Sequence, residues 1–181
     1  TRESLGAYRD FGVNRLSIGV QSFDDANLRF LGRAHRAEDA NVCVEWAREA
    51  GFDNLGLDLI FGMPGQDRSN WLSDLRAAVN FEPEHLACYM LTCESGTPLD
   101  MDVKTGRIRW AAEGRVLDLF NTAIHFLTAR SFFHYEVSNF AHMVAISLET
   151  TFCSRTTGVL PTKSRTLSAT NPRNPLLSMP M

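Results

Sequence analysis

GVNRLSIGVQSF, residues 12–23, decides the fold, because it joins a helix end, a strand and a polar strand terminus. Leu16, Ile18 and Val20 alternate with Ser17 and Gly19, which predicts a strand over 15–20 with one apolar face. Gln21 stands at that strand's carboxyl end, and Asp24 and Asp25 are helix-start residues ahead of Leu28 and Leu31. The unit is strand, short polar loop, helix. In parallel α/β proteins ligands collect at that end of the strand.

Working outward, Gly12 closes a helix over 4–11 that points Leu5 and Tyr8 inward, with Ala7 beside them. A short helix over 24–31 ends at Gly32. A longer one over 37–50 repeats Ala40, Cys43, Ala47 and Ala50 at helical spacing, beside Val42 and Trp46, and ends at Gly51. Residues 55–61 are an apolar run broken by Asp58 and followed by the turn GMPGQ, which predicts a buried strand. Ser69 is the expected cap of a helix carrying Trp71, Leu72, Leu75 and Val79, with Pro83 after its end. HLACYMLTC, residues 85–93, is a third strand. Residues 101–109 are expected to be an exposed loop, Val116, Phe120, Ile124 and Leu127 define a last helix, and 135–140 a short closing strand. Strands separated by roughly one helix each imply parallel pairing with crossovers, so the class is α/β. Part of a β/α barrel or a doubly wound sheet fits; a complete eight-stranded barrel needs about 250 residues.

The sequence has 181 residues, 44% of them hydrophobic, enough for one domain with a core. A net charge of -3 leaves no basic footprint, so nucleic acid is not an expected partner. No run of 18 apolar residues and no signal-peptide pattern is present, so no transmembrane segment and a cytosolic location are expected. Cys43, Cys88, Cys93 and Cys153 lack metal-ligand spacing and read as buried free thiols, and the five histidines show no metal spacing. Residues 142–181 differ from the rest: 4 Lys plus Arg against 1 Asp plus Glu give +3, where residues 1–141 carry 14 against 20, or -6. The expectation is a domain over 1–141 and a disordered tail, and a frameshift after Ala141 would explain the sudden change.

Four residues are candidates for chemistry. Asp58 is a carboxylate in an apolar central strand, costly to bury unless a ligand hydroxyl, an internal Arg or the backbone satisfies it. Gln21 offers an amide donor and acceptor at a strand end. Arg33 is a rigid fork suited to a carboxylate or phosphate, or to a salt bridge with Asp24, Asp25 or Glu38. Thr92 lies near the end of the third strand, in phase with that site, where a hydroxyl either touches a ligand or caps a turn. GMPGQ lacks the G-x-x-x-x-G-K-[ST] of a phosphate loop, which disfavours a nucleotide triphosphatase.

GVNRLSIGVQSF, LGRAH, AGFDNLGLDLIFGMPGQ, LTCESGTP and HYEVSNFA, in this order, resemble the radical S-adenosylmethionine (SAM) proteins of the HemN/HemW group over residues 4–141. That group comprises the oxygen-independent coproporphyrinogen III oxidase and a heme chaperone. The resemblance implies a partial (β/α) barrel holding SAM against a [4Fe-4S] cluster, with reduction of the sulfonium yielding methionine and a 5′-deoxyadenosyl radical. It places Gln21, Arg33, Asp58 and Thr92 on SAM-contacting positions. It makes porphyrin or heme, and a heme-acceptor protein, the expected partners. LTCESGTP and EVSNFA resemble the chaperone branch more than the oxidase branch. The family's C-x-x-x-C-x-x-C, its Gly-rich loop and an acidic strand end are not in this sequence, nor is the His-Asn-x-x-Tyr-Trp motif that the resemblance would put after Ala141, where HMVAISLETT stands. The expectation is therefore a barrel truncated at its N-terminus, with cluster and heme belonging to a longer parent and no radical chemistry in the chain as it stands.

Overall fold

The computed structural model describes residues 1–142 and the backbone of Leu167–Ser168. Three strands form the centre: β1 (Leu16–Gln21), β2 (Leu55–Phe61) and β3 (His85–Met90). They pair in parallel, with Leu16 opposite Leu55 and Gly56 opposite His85. Parallel neighbours need crossovers. Helices α2 (Asp25–Phe30) and α3 (Ala37–Glu49) carry the chain from β1 to β2, and α4 (Arg68–Val79) from β2 to β3. α1 (Arg2–Asp10) precedes β1, and α5 (Pro98–Lys104) and α6 (Glu113–Thr128) follow β3. This is the α/β alternation read from the sequence, and Asp24 caps α2 as expected, accepting from Ala26 N–H at 2.6 Å.

The sheet has two chemically different faces. Leu16, Ile18, Leu57, Leu59, Leu86 and Cys88 are buried in one core with Val44, Trp71, Leu75, Leu119 and Leu127 from the helices. Trp71 Nε1 donates to the Leu119 carbonyl at 3.0 Å, tying α4 to α6 inside that core. The alternate positions Ser17, Gly19, Gly56, Asp58 and His85 lie on the opposite face.

Several expectations are corrected. In α1 Leu5 is buried but Tyr8 is exposed, and in α3 Val44 is buried while Trp46 is exposed. α4 is capped by Asp67 rather than Ser69: Asp67 Oδ1 accepts from Asn70 N–H at 2.8 Å, and Asn70 Oδ1 accepts from Asp67 N–H at 3.4 Å. This reciprocal pair outcompetes a lone serine two residues on. Residues 101–109 are not all loop, because Thr97 caps α5, Pro98 stands in its first turn, and Lys104 pairs with Asp100 at 2.7 Å. β3 stops at Met90, three residues early. Gly62 (φ 85°) turns the neighbouring strand away after Phe61, so only Leu91 N–H still finds the Phe61 carbonyl, at 2.8 Å.

The single closing strand over 135–140 is instead a hairpin, β4 (Phe132–Glu136) and β5 (Asn139–His142), with β5 antiparallel to β3. β6 (Leu167–Ser168) pairs in parallel with Leu16 and Ser17, completing the order β4-β5-β3-β2-β1-β6. Of the stretch 142–181, expected to be a disordered tail, His142 ends β5 and Leu167–Ser168 forms β6; the remainder lies outside the described residues. Among the described residues no helix is long and apolar enough to cross a membrane.

Candidate functional site

On the polar face Ser17 Oγ donates to Asp58 Oδ1 at 2.8 Å, across the β1–β2 pair. Gly56 makes room for this contact, since a Cβ there would lie 3.2 Å from Ser17 Oγ and 3.5 Å from His85 Nδ1. Asp58 is half-buried, and burial pushes its carboxyl above the usual range, while the Ser17 hydrogen bond and the charge of Arg15 pull it back. The partner that the apolar strand demanded is thus a neighbouring hydroxyl.

Gln21 is buried at the carboxyl end of β1 with φ 69°, a left-handed backbone that side-chain-bearing residues seldom adopt. Ser22 N–H donates to the Val20 carbonyl at 2.9 Å, which closes a γ-turn with Gln21 at its centre. His35 Nε2 lies 3.1 Å from the same carbonyl and donates to it, holding the α2–α3 connection against the end of β1. The Gln21 carboxamide folds back over Gly19, where a Cβ would sit 2.6 Å from Gln21 Nε2.

Beneath the turn is a buried polar cluster. Asp74 of α4 accepts from Ser22 Oγ at 2.7 Å and from Phe23 N–H at 2.8 Å. Ser22 Oγ accepts from Asp24 N–H and Asn27 Nδ2, each at 3.1 Å. Burial raises the Asp74 carboxyl to about 6, opposed by the Ser22 and Phe23 hydrogen bonds and aided by the charge of Asp24.

Arg33 lies two residues from His35, in the connection held against the β1 end, and its backbone N–H donates to the Leu28 carbonyl at 2.9 Å. Two of the three alternative partners weighed for it are engaged elsewhere: Asp25 pairs with Arg36 at 3.1 Å and Asp24 caps α2. Arg33 Nε is buried with no hydrogen-bond partner among the described residues, and burial draws the guanidinium's pKa down.

Thr92 is placed apart from these three. It lines a cleft of about 630 Å³ with Cys88, Met90, Trp110, Val116 and Phe120, on the α6 side of the sheet, so it is not in phase with Asp58. The reason is the register of β3: Asp58 lies opposite Ala87, so at a period of two residues Thr92 falls in line with Cys88 and Met90 rather than with Ala87 and Tyr89. Sequence reasoning also missed Asp74, Ser22, His35 and the buried His85, whose Nε2 is 2.8 Å from the Tyr135 hydroxyl. Asp74 alone carried a signal, a carboxylate inside the buried stripe of Trp71, Leu75 and Ala78.

The described cysteines do not fit an iron–sulfur cluster. Cys88 is fully buried and its thiol is pushed up by burial and by Asp58, which disfavours the thiolate a cluster needs. Cys43 is also pushed up by burial, and it lies on α3, away from β3. No group of three or more His, Cys, Asp or Glu side chains among the described residues could hold a metal ion.

Residues 1–78 match the family model of the Radical SAM superfamily. The heme chaperone HemW of Bacillus subtilis (strain 168) is 35% identical over 139 residues, which is 77% of this chain and 37% of that protein. HemW of Escherichia coli (strain K12) is 36% identical, over 74% of this chain and 34% of its own length. The mouse protein named radical S-adenosyl methionine domain-containing protein 1, mitochondrial, is 38% identical over 79% of this chain and 32% of its length. The chain thus spans about a third of the length of these relatives. Among solved structures, the coproporphyrinogen III oxidase HemN from Escherichia coli, described as a radical SAM enzyme, superposes with a TM-score of 0.70 at 25% identity, over 83% of this chain and 35% of that one.

Proposed function

The chain belongs to the HemN/HemW family of radical SAM proteins, and from that premise we propose that residues 1–142 form the part of a HemW-type protein that recognises SAM. The observation that carries this reading is the gathering of polar groups on one face of the sheet. The Ser17–Asp58 pair and the Gln21 carboxamide over Gly19 share a face, and Arg33 stands in the connection held to the same strand.

Each residue suits one part of such a ligand. Asp58 accepts from ribose hydroxyls, with Ser17 fixing the orientation of its carboxylate. Gln21 supplies a donor and an acceptor to a polar group. Arg33 pairs with the ligand's carboxylate, which satisfies its buried Nε. Thr92, on the other side of the sheet, is left as an accessory contact at most. SAM paired with a reduced cluster supplies radical chemistry in this family, but the cysteines described here do not fit a cluster, so the role read for this chain is binding.

The whole protein is a heme chaperone in this reading, with heme as cargo, an acceptor protein as partner and the cytosol as its setting. The HemW names of its relatives and the LTCESGTP and EVSNFA segments support that reading over the oxidase. Oxidative decarboxylation of coproporphyrinogen III is the second reading, favoured by the HemN superposition. Heme titration followed by absorbance, beside anaerobic turnover of coproporphyrinogen III, separates the two for the full-length protein.

The SAM reading is tested on this chain by calorimetric titration with S-adenosylhomocysteine. Asp58→Ala and Gln21→Ala should each weaken binding at least about tenfold, the scale of losing a buried hydrogen bond to a charged or polar ligand group. Wild-type affinity in both variants would defeat it.

A further inference from the structure

The turn that carries Gln21 is over-determined by groups outside it. Gln21 has φ 69° and no glycine's freedom to adopt it, and strain of this kind persists only where surrounding contacts enforce it. On one side His35 holds the Val20 carbonyl at 3.1 Å. On the other, one carboxylate ties down both residues that leave the turn: Asp74 takes the Ser22 hydroxyl at 2.7 Å and the Phe23 N–H at 2.8 Å. Asp24 N–H and Asn27 Nδ2 already donate to Ser22 Oγ, so the serine's own proton is committed to Asp74.

We propose that Asp74 is a positioning residue for the ligand site: with His35 it clamps residues 20–23 in the strained turn, which folds the Gln21 carboxamide over Gly19 onto the face of the Ser17–Asp58 pair. The proposal rests on the reading of that face as a SAM site. Gly19 belongs to the same device. A Cβ 2.6 Å from Gln21 Nε2 would push the carboxamide off the face, so the bare backbone at 19 is what lets the clamp aim it.

A carboxylate that merely filled a buried position would be indifferent to the backbone at Gln21. The clamp would not, because glycine removes the penalty for positive φ and alanine keeps it. Asp74→Asn is therefore compared in wild-type, Gln21→Ala and Gln21→Gly backgrounds by denaturant unfolding. The expected result is a similar fold-loss in folding equilibrium constant in the first two, where the freed turn relaxes and recovers its strain, and a loss at least about threefold larger in the glycine background, which has no strain to recover. Equal losses in all three overturn the clamp. Ser22→Ala, which removes one arm only, takes the place of Asp74→Asn if that variant fails to fold.

Titration with S-adenosylhomocysteine then reads the positioning. Asp74→Asn should weaken binding about tenfold in the wild-type background and cause no further loss in Gln21→Ala, since it acts through that side chain. A further loss of the same size in Gln21→Ala, or unchanged affinity in Asp74→Asn, overturns the positioning role. If the wild-type chain binds no S-adenosylhomocysteine, the SAM reading fails, and the alanine–glycine comparison still decides the clamp.

Discussion

Asp74 gives the residue scale its clearest pH signature. Its folded-state pKa is raised to about 6 from 3.8, so between those values the folded chain holds a proton that the unfolded chain releases. Its contribution to stability is therefore greatest below about pH 4 and declines as pH rises to about 6, by up to ~3 kcal/mol at 1.36 kcal/mol per unit. Asp25 and Asp100 run the other way. The Ala37 N–H and the Lys104 ammonium, respectively, hold them below the usual range, so what they contribute is lost on acidification. Subtracting the pH profile of Asp74→Asn isolates the first effect. Denaturant midpoints from pH 4.5 to 7.5 should show the wild type losing ground to the variant as pH rises, and a flat difference would mean that the carboxyl is not shifted.

At the scale of elements, α4 matters because it brings both Trp71 to the core and Asp74 to the turn. Its start rests on the reciprocal Asp67–Asn70 pair, so Asp67→Ala should cost about 1 kcal/mol of stability. Ser69, exposed inside the first turn, should tolerate alanine within about 0.5 kcal/mol. Chemical denaturation of the two variants checks the assignment, and the reverse order would restore Ser69 as the cap. The hairpin makes a related point. A six-residue apolar and polar run from Tyr135 reads as one strand until a neighbour is known, but the antiparallel register with β3 uses only Asn139 onward.

For the molecule as a whole, the stability of the parallel sheet is concentrated in its central strand. Leu57 is fully buried on β2, flanked by Ile18 and Leu86 in register, so Leu57→Ala should cost roughly 2–5 kcal/mol through lost transfer energy and a cavity. Against a total of roughly 5–15 kcal/mol this is a large fraction, visible as a lowered unfolding midpoint. Val137→Ala, on the exposed hairpin turn, should change little. A loss below about 1 kcal/mol for Leu57→Ala would contradict the core described here.

Sequence by itself determined the alternation of strands and helices, because side-chain periodicity of two or near four residues is a local property of the chain. It also singled out Asp58 and Gln21 as candidates, since a carboxylate in an apolar strand and an amide at a strand end violate the local pattern. Only the tertiary structure decided the rest. Asp58's partner is Ser17, forty-one residues away, and Asp74's is Ser22, fifty-two away. Contacts at such separations leave no periodic trace, and neither does a backbone forced to φ 69° by groups on other elements. The end of β3 was decided in the same way, by where its neighbour turned off, and the register of β3 with β2, which sets Asp58 opposite Ala87, put Thr92 on the opposite side of the sheet from the residues it was grouped with.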